Sequence, residues 1–277
     1  MKKLKAWLKL QEEGGEEWVL ARDKGKSLGS EILLASLSTA SKNSAPTPPL
    51  PPSPPASQAS AVSHPIFAAS LSDLPLLSTD WAAIKPAAAQ TLEELKAKLQ
   101  AFEGCALKKL ATQMVFADGN HKSPLLFVGE APGLEEDKQG LPFVGASGQL
   151  LNKMMAAIGL TRENVYITNV VNWRPPGNRP PTLDEITQCL PFLKRHIELI
   201  APQCMVLLGA TAMKAVLNVS SSLSKARGTW HAYKTSEGTT IPTLVTFHPS
   251  YLLRSPNQKP LAWQDLLLIQ KRLQGND

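Results

Sequence analysis

The chain has 277 residues, with 29 Lys and Arg against 23 Asp and Glu, for a net charge of +6. A hydrophobic content of 43% supplies material for a full core and excludes wholesale disorder, while three cysteines exclude a disulfide-framework secreted protein. They also exclude a self-contained four-cysteine metal or cluster site unless another ligand type completes it, and the mild basic excess points only weakly to an anionic partner.

Residues 1–40 carry helical spacing. Leu4, Trp7 and Leu8 recur at i, i+3 and i+4, and Trp18, Val19 and Leu20 follow Gly14-Gly15. MKKLKAWLKL begins like a secretory leader but runs into Gln11, Glu12 and Glu13 with no apolar stretch behind it. No apolar run approaches the ~20 residues of a membrane-spanning helix, so the expected location is cytoplasmic, with no membrane partner. Residues 41–75 form a Pro/Ala/Ser-rich linker. Seven of the ten positions from Pro46 to Pro55 are proline, and each proline fixes φ and removes an N–H, which rules out helix and sheet. The stretch is either a polyproline-like tether, the favoured reading, or a ligand for a proline-recognising module.

Residues 76–277 alternate strand and helix. Thr91-Leu92-Glu93-Glu94 is a capping box opening a helix that runs to Phe102. Leu125–Ala131, Asn164–Val171, Cys204–Ala210 and Thr240–Ser250 predict four strands, the last running into a loop. Gly148–Leu160, Thr182–Pro202, Thr211–Asn218 and Ala262–Gln274 predict helices. The alternation predicts an α/β fold of three αβα layers around a central, mostly parallel four-stranded sheet. In such sheets the ligand sits beyond the carboxyl ends of the strands. Those ends carry Gly129-Glu130-Ala131, Thr168-Asn169, Leu208-Gly209 and Phe247-His248, so a carboxylate, a carboxamide and an imidazole are expected at one crevice.

Three stretches bear chemistry. VGEAPGLEEDKQGLPFVGASGQLL holds two tight glycine loops, and the second enters a helix N-terminus whose free N–H groups favour an anion. It is neither a P-loop nor a dinucleotide fingerprint, and two ordinary strand-to-helix turns are the alternative. TNVVNWRPPGNRPPT sets Arg174 and Arg179 around prolines, giving a stiff cationic loop suited to phosphate, or else a solvated turn. FHPSYLLRSP places His248 after a strand and Leu252-Leu253-Arg254 at a loop tip. An apolar wedge beside a cation is what probing a duplex requires.

In unbroken order, GEAPGxxED, PFVGxxGQLL, YITNVV, RPPGNR and HPSYLLR resemble the type-4 uracil-DNA glycosylases, over roughly residues 100–273. The resemblance implies a monomeric base-excision enzyme of the bacterial cytoplasm. It would flip uracil out of single- or double-stranded DNA, hydrolyse the N-glycosidic bond and leave an abasic site, with no metal in the chemistry. Under it, His248 bonds the uracil O2, Asn169 reads the base edge, Phe143 stacks on the base and Ala131 lines the pocket. Glu130 and Glu136 are the acidic pair, one of which positions the water or supports the sugar cation. Gly133, Arg174, Asn178, Arg179, Ser250, Leu252, Leu253 and Arg254 would face DNA, and a protein partner is a candidate role for the N-terminal helix.

Type-4 enzymes typically carry a [4Fe–4S] cluster on four cysteines. Cys105 and Cys189 match the first and fourth ligand positions, but Lys108 and Trp173 occupy the second and third. Neither side chain replaces a thiolate. The expectation is therefore no cofactor, with the cluster lost, Trp173 filling its volume and Lys108 turned to solvent. Cys204 reads as a small core residue. A non-catalytic DNA- or lesion-binding relative and a glycosylase for another deaminated base, such as hypoxanthine, are the competing functions.

Overall fold

Short apolar runs bounded by glycine, proline or polar residues make the sheet. The computed structural model describes residues 85–275. The expected helical segment 1–40 and linker 41–75 lie outside the described residues. The strands are β1 (Asp118–Gly119), β2 (Leu125–Gly129), β3 (Tyr166–Asn169), β4 (Cys204–Leu208), β5 (Trp230–Lys234) and β6 (Thr240–Thr246). Their spatial order is β1-β3-β2-β4-β6-β5. The four expected strands are the parallel centre, β3-β2-β4-β6. The sheet is wider than expected, because β1 and β5 add an antiparallel edge on either side. β1 is two residues long, and β5 has one buried residue among half-buried and exposed ones, so neither carries the apolar run that marks a central strand.

The helices are α1 (Leu92–Ala101), α2 (Leu134–Gln139), α3 (Ala146–Ala157), α4 (Leu183–Ile200), α5 (Ala210–Leu217), α6 (Leu223–Ala226), α7 (Pro249–Arg254) and α8 (Lys259–Leu273). α1 starts where its cap requires: Thr91 Oγ1 accepts from the Glu94 N–H at 3.1 Å. The return bond slips by one residue, since Glu94 accepts from the Gln90 N–H rather than from that of Thr91. At α4 the box closes fully, with Thr182 and Glu185 each accepting the other's backbone N–H. The segment expected as a loop after β6 is instead helix α7. Proline at its first position is compatible with a helix start, because that N–H has no intrahelical partner.

Strand alternation sends side chains to two separate cores. Leu126 and Val128 of β2 pack with α1, α4 and α5, while Leu125 and Phe127 pack with α3, α7 and α8. All five residues of β2 are buried, as the centre of a three-layer αβα sandwich demands. Because β3 and β4 lie on opposite sides of β2, the chain reverses direction across the sheet there. That reversal opens a crevice at the carboxyl ends of the strands. Among the described residues no helix is long and apolar enough to cross a membrane.

Candidate active site

The register brings the strand ends to one level: Gly129 pairs with Asn169, Val128 with Leu207, and Leu208 with Thr246. Asn169 closes β3 and is 2% exposed. Its Oδ1 is buried without a hydrogen-bond partner. Buried polar atoms are paired almost everywhere in folded proteins, so an orphan acceptor at a strand end is a place made for a donor. A Cβ at Gly129 would fall 2.3 Å from Asn169 Oδ1 and 2.5 Å from Phe143 Cζ. Only glycine therefore lets the carboxamide and the ring close on the end of β2.

Phe143 is buried and left-handed, with φ of 55°. That conformation is unfavourable for a residue with a Cβ, and two contacts hold it. Gly148, at the start of α3, has no side chain; a Cβ there would lie 1.8 Å from the Phe143 carbonyl oxygen. Arg162 donates from Nη2 to that same oxygen and from Nη1 to the Pro142 oxygen at 3.1 Å. The guanidinium is itself oriented by Asp118 of β1 and by Asn152 Oδ1 of α3, at 3.0 Å from Nε.

The His248 ring stands 5.6 Å from that of Phe143. The Ser250 backbone N–H donates to His248 Nδ1 at 3.1 Å, and Ser250 Oγ lies 2.8 Å from it. A backbone N–H can only donate, so Nδ1 is the acceptor and the neutral ring carries its proton on Nε2. Burial and the nearby Arg254 charge push the His248 pKa down to about 4, which keeps the ring neutral near pH 7. Behind it, Asp265 of α8 is fully buried and accepts from Thr246 Oγ1 at 2.6 Å and from Arg227. Burial raises the Asp265 pKa. Arg227 also lies over the Phe247 ring. The two residues that lead into the histidine are thus both braced.

The two glutamates differ sharply. Glu136 is 8% exposed, and its carboxylate accepts from three backbone N–H groups: Gly133 at 3.1 Å, Val144 at 2.9 Å and Gly145 at 2.8 Å. It fastens the first glycine loop to the second. Glu130, half-buried beside Ala131 at the end of β2, has one oxygen taken by Thr211 Oγ1. No protein partner engages its Oε1 among the described residues.

The proline loop is internally paired. Arg174 donates to Asn178 Oδ1 at 2.7 Å, and Asn178 is itself left-handed. Arg179 is committed to Glu185 through two bonds of 2.8 and 2.6 Å, which fixes the loop to the start of α4. On α7, Leu253 is 45% exposed and Arg254 is exposed. Leu252, expected beside them at a loop tip, is 1% exposed and packs in the core. In a helix, neighbouring residues point about 100° apart, and on α7 that turn carries Leu252 into the core while Leu253 and Arg254 stay on the outer face. Ser250 turns its N–H and hydroxyl to His248, and the Gly133 N–H turns to Glu136.

The positions of the implied cluster are in different use. Cys105 and Cys189 face each other with 3.9 Å between sulfurs, Cys189 donating. That bond lowers the Cys105 pKa and raises that of Cys189, which burial raises further. Trp173 is 2% exposed and sits in the same core as both. Lys108 does not turn to solvent. Its Nζ folds back on the end of α1, to the Gln100 oxygen at 2.6 Å and Glu103 at 2.5 Å, because the free carbonyls at a helix C-terminus attract a cation. Among the described residues no group of three or more His, Cys, Asp or Glu is placed to hold a metal. Two thiols, an indole and a paired ammonium do not supply the four thiolates of a [4Fe–4S] cluster.

Arg162, Thr211, Arg227 and Asp265 carry no motif and were not anticipated. Each makes a bond across 19 or more positions of sequence, a range that local spacing does not reveal.

The family model of the Uracil DNA glycosylase superfamily matches residues 116–267. The chain is similar to the type-4 uracil-DNA glycosylase of Sulfurisphaera tokodaii, 41% identical over 186 residues, covering 65% of this chain and 84% of that protein. It is also similar to those of Thermotoga maritima (42% over 170 residues, 60% and 85%) and Archaeoglobus fulgidus (39% over 172 residues, 60% and 85%).

Proposed function

The chain belongs to the type-4 uracil-DNA glycosylases of the Uracil DNA glycosylase superfamily, and on that premise we propose that it removes uracil from DNA by hydrolysing the bond between C1′ and N1. The observation that carries this reading is the orphaned Oδ1 of Asn169, buried against Phe143. Uracil offers an N3–H donor and an O4 acceptor side by side. A carboxamide matches both, whereas cytosine, lacking the N3–H, would leave the acceptor unpaired.

Breaking the bond leaves positive charge on the sugar and negative charge on the uracil ring. The neutral His248, with its proton on Nε2, donates to O2 as charge gathers there. Phe143 offers its face to the flipped base. Glu130 supplies a carboxylate for the cationic sugar and an oxygen able to orient water, held at the right angle by Thr211. Glu136 is given the positioning role, since its oxygens are occupied by the backbone. Leu253 would fill the gap left in the duplex, with Arg254 and Arg174 on phosphates, and the enzyme would act as a cytoplasmic monomer. The cluster is read as lost, Trp173 occupying its volume.

The test is release of free uracil from single- and double-stranded oligonucleotides, compared with His248→Ala and Asn169→Ala. Hypoxanthine- and xanthine-containing strands serve as competitors. Salt-dependent DNA binding without base release would favour a binding module and end the catalytic reading.

A further inference from the structure

Cys105 ends the segment that follows α1, and Cys189 lies in the middle of α4, 84 positions away. Both are at most 1% exposed, both are thiols, and their sulfurs stand 3.9 Å apart. Their frame is held by other contacts. Phe102 and Phe192 pack with ring centroids 5.0 Å apart, Trp173 fills the space beside them, and Lys108 ties its turn to α1. Cys204 belongs to the core on the other face of the sheet, so the sheet itself separates it from the pair.

We propose that Cys105 and Cys189 are an oxidisable dithiol that closes to a disulfide, stapling residues 102–109 to α4. Closure needs the sulfurs to approach from 3.9 Å to about 2.05 Å, a shift within reach of two side-chain rotations. The oxidant class is a small peroxide. One sulfur takes an oxygen from hydrogen peroxide, giving a sulfenic acid and water. The second sulfur then attacks the first and displaces the oxygen as water. Two thiols and one peroxide thus become one disulfide and two waters, and a dithiol reductant reverses the change. Both sulfurs are closed even to a water-sized molecule in this conformation, so peroxide reaches the pair through local opening of the turn at residues 102–109, which bulky reagents pass less easily. The proposal rests on the reading that no cluster occupies these sulfurs, and it is independent of uracil excision.

The experiment uses the full chain, purified anaerobically and assayed first for iron and acid-labile sulfide. Samples exposed to hydrogen peroxide or to dithiothreitol are then denatured in a maleimide and weighed by mass spectrometry. Three labels are expected after dithiothreitol and one after peroxide, with a cross-linked peptide joining Cys105 to Cys189. The peroxide-treated protein should melt about 5 °C higher, since a long loop is closed. Cys204→Ser should keep the cross-link, and Cys105→Ser and Cys189→Ser should each abolish it. Because Cys204→Ser leaves the pair untouched, it carries the test if the other variants fold poorly. Three labels after peroxide in iron-free protein, or a cross-link to Cys204, would overturn the proposal alone. Stoichiometric iron–sulfur would overturn it together with the reading of cluster loss.

Discussion

Replacing Asn169 with alanine should separate activity from stability, because the side chain is strained by its own isolation. Its Oδ1 is buried and unpaired, a condition worth about 1–3 kcal/mol against folding. The variant removes that acceptor and loses the packing of a small amide against Phe143, a term of about 1 kcal/mol in the other direction. The net expectation is a protein between unchanged and about 2 kcal/mol more stable, which for a domain of this size shifts the melting temperature by 0 to about +6 °C. Activity should move the opposite way. Losing two hydrogen bonds to the uracil edge, at about 1.5–2.5 kcal/mol each, lowers the single-turnover rate by roughly 10²–10⁴. Thermal melts and single-turnover excision on the same preparation read both quantities. A melting temperature lowered by more than about 4 °C would mean that the amide is a structural tie, and a rate within tenfold of the parent would mean that it does not read the base.

The two glutamates should respond oppositely to the same change. Glu136→Gln turns one oxygen, now accepting backbone N–H groups, into a donor facing donors, and should cost about 2–3 kcal/mol in urea unfolding. Glu130→Gln should leave stability within about 0.5 kcal/mol while lowering the rate at least ~10²-fold; the reverse pattern would exchange their roles. Arg162→Ala should release Phe143 and raise KM for uracil DNA with a smaller effect on kcat, and Arg162→Lys, which cannot reach both carbonyls in a fork, should recover little of it. Equal losses in both constants would point to general unfolding. His248 and His196, the latter buried on α4 beside the Tyr166 hydroxyl, have pKa values pushed by burial to about 4 and about 3 and so bind protons later than in the unfolded chain. Stability present above pH 6.5 should therefore fall as pH drops from 6.5 towards 4, by about 1.4 kcal/mol per pH unit for each histidine. Equilibrium unfolding that is flat between pH 7 and 5 would refute both assignments.

What the sequence disclosed follows from the range of the forces involved. Four parallel strands were legible because a strand buried on both faces must be an apolar run, and the residue where that run stops marks the crevice. Glu130, Asn169 and His248 could be placed at one site for that reason alone. The edge strands were not legible. β5 mixes exposed, half-buried and buried positions, so its sequence WHAYK looks like neither a run nor a clean alternation. α7 reads as a loop in the sequence because its six residues are too few for a periodicity to show. A loop tip would leave Leu252 outside, whereas the helix buries it and leaves its neighbour Leu253 exposed.

Glu130 and Glu136 show a different limit. They share a residue type, a motif and a charge, and nothing in their spacing separates them. The distinction comes from where backbone N–H groups point after folding: three converge on Glu136, whereas among the described residues a threonine hydroxyl alone reaches the Glu130 carboxylate. The same holds for Phe143. As a letter it reads as a stacking ring, but its value to the site is that it is held in place before a base arrives. A left-handed phenylalanine would relax if it could, at a gain of about 1–2 kcal/mol. Gly148 leaves room for its carbonyl, Arg162 anchors that carbonyl, and Glu136 pins the next two amides. On the proposed reading, an acidic residue that touches no substrate would thereby fix the ring that stacks on the base, so conservative changes at Arg162 or Glu136 should act on excision through Phe143.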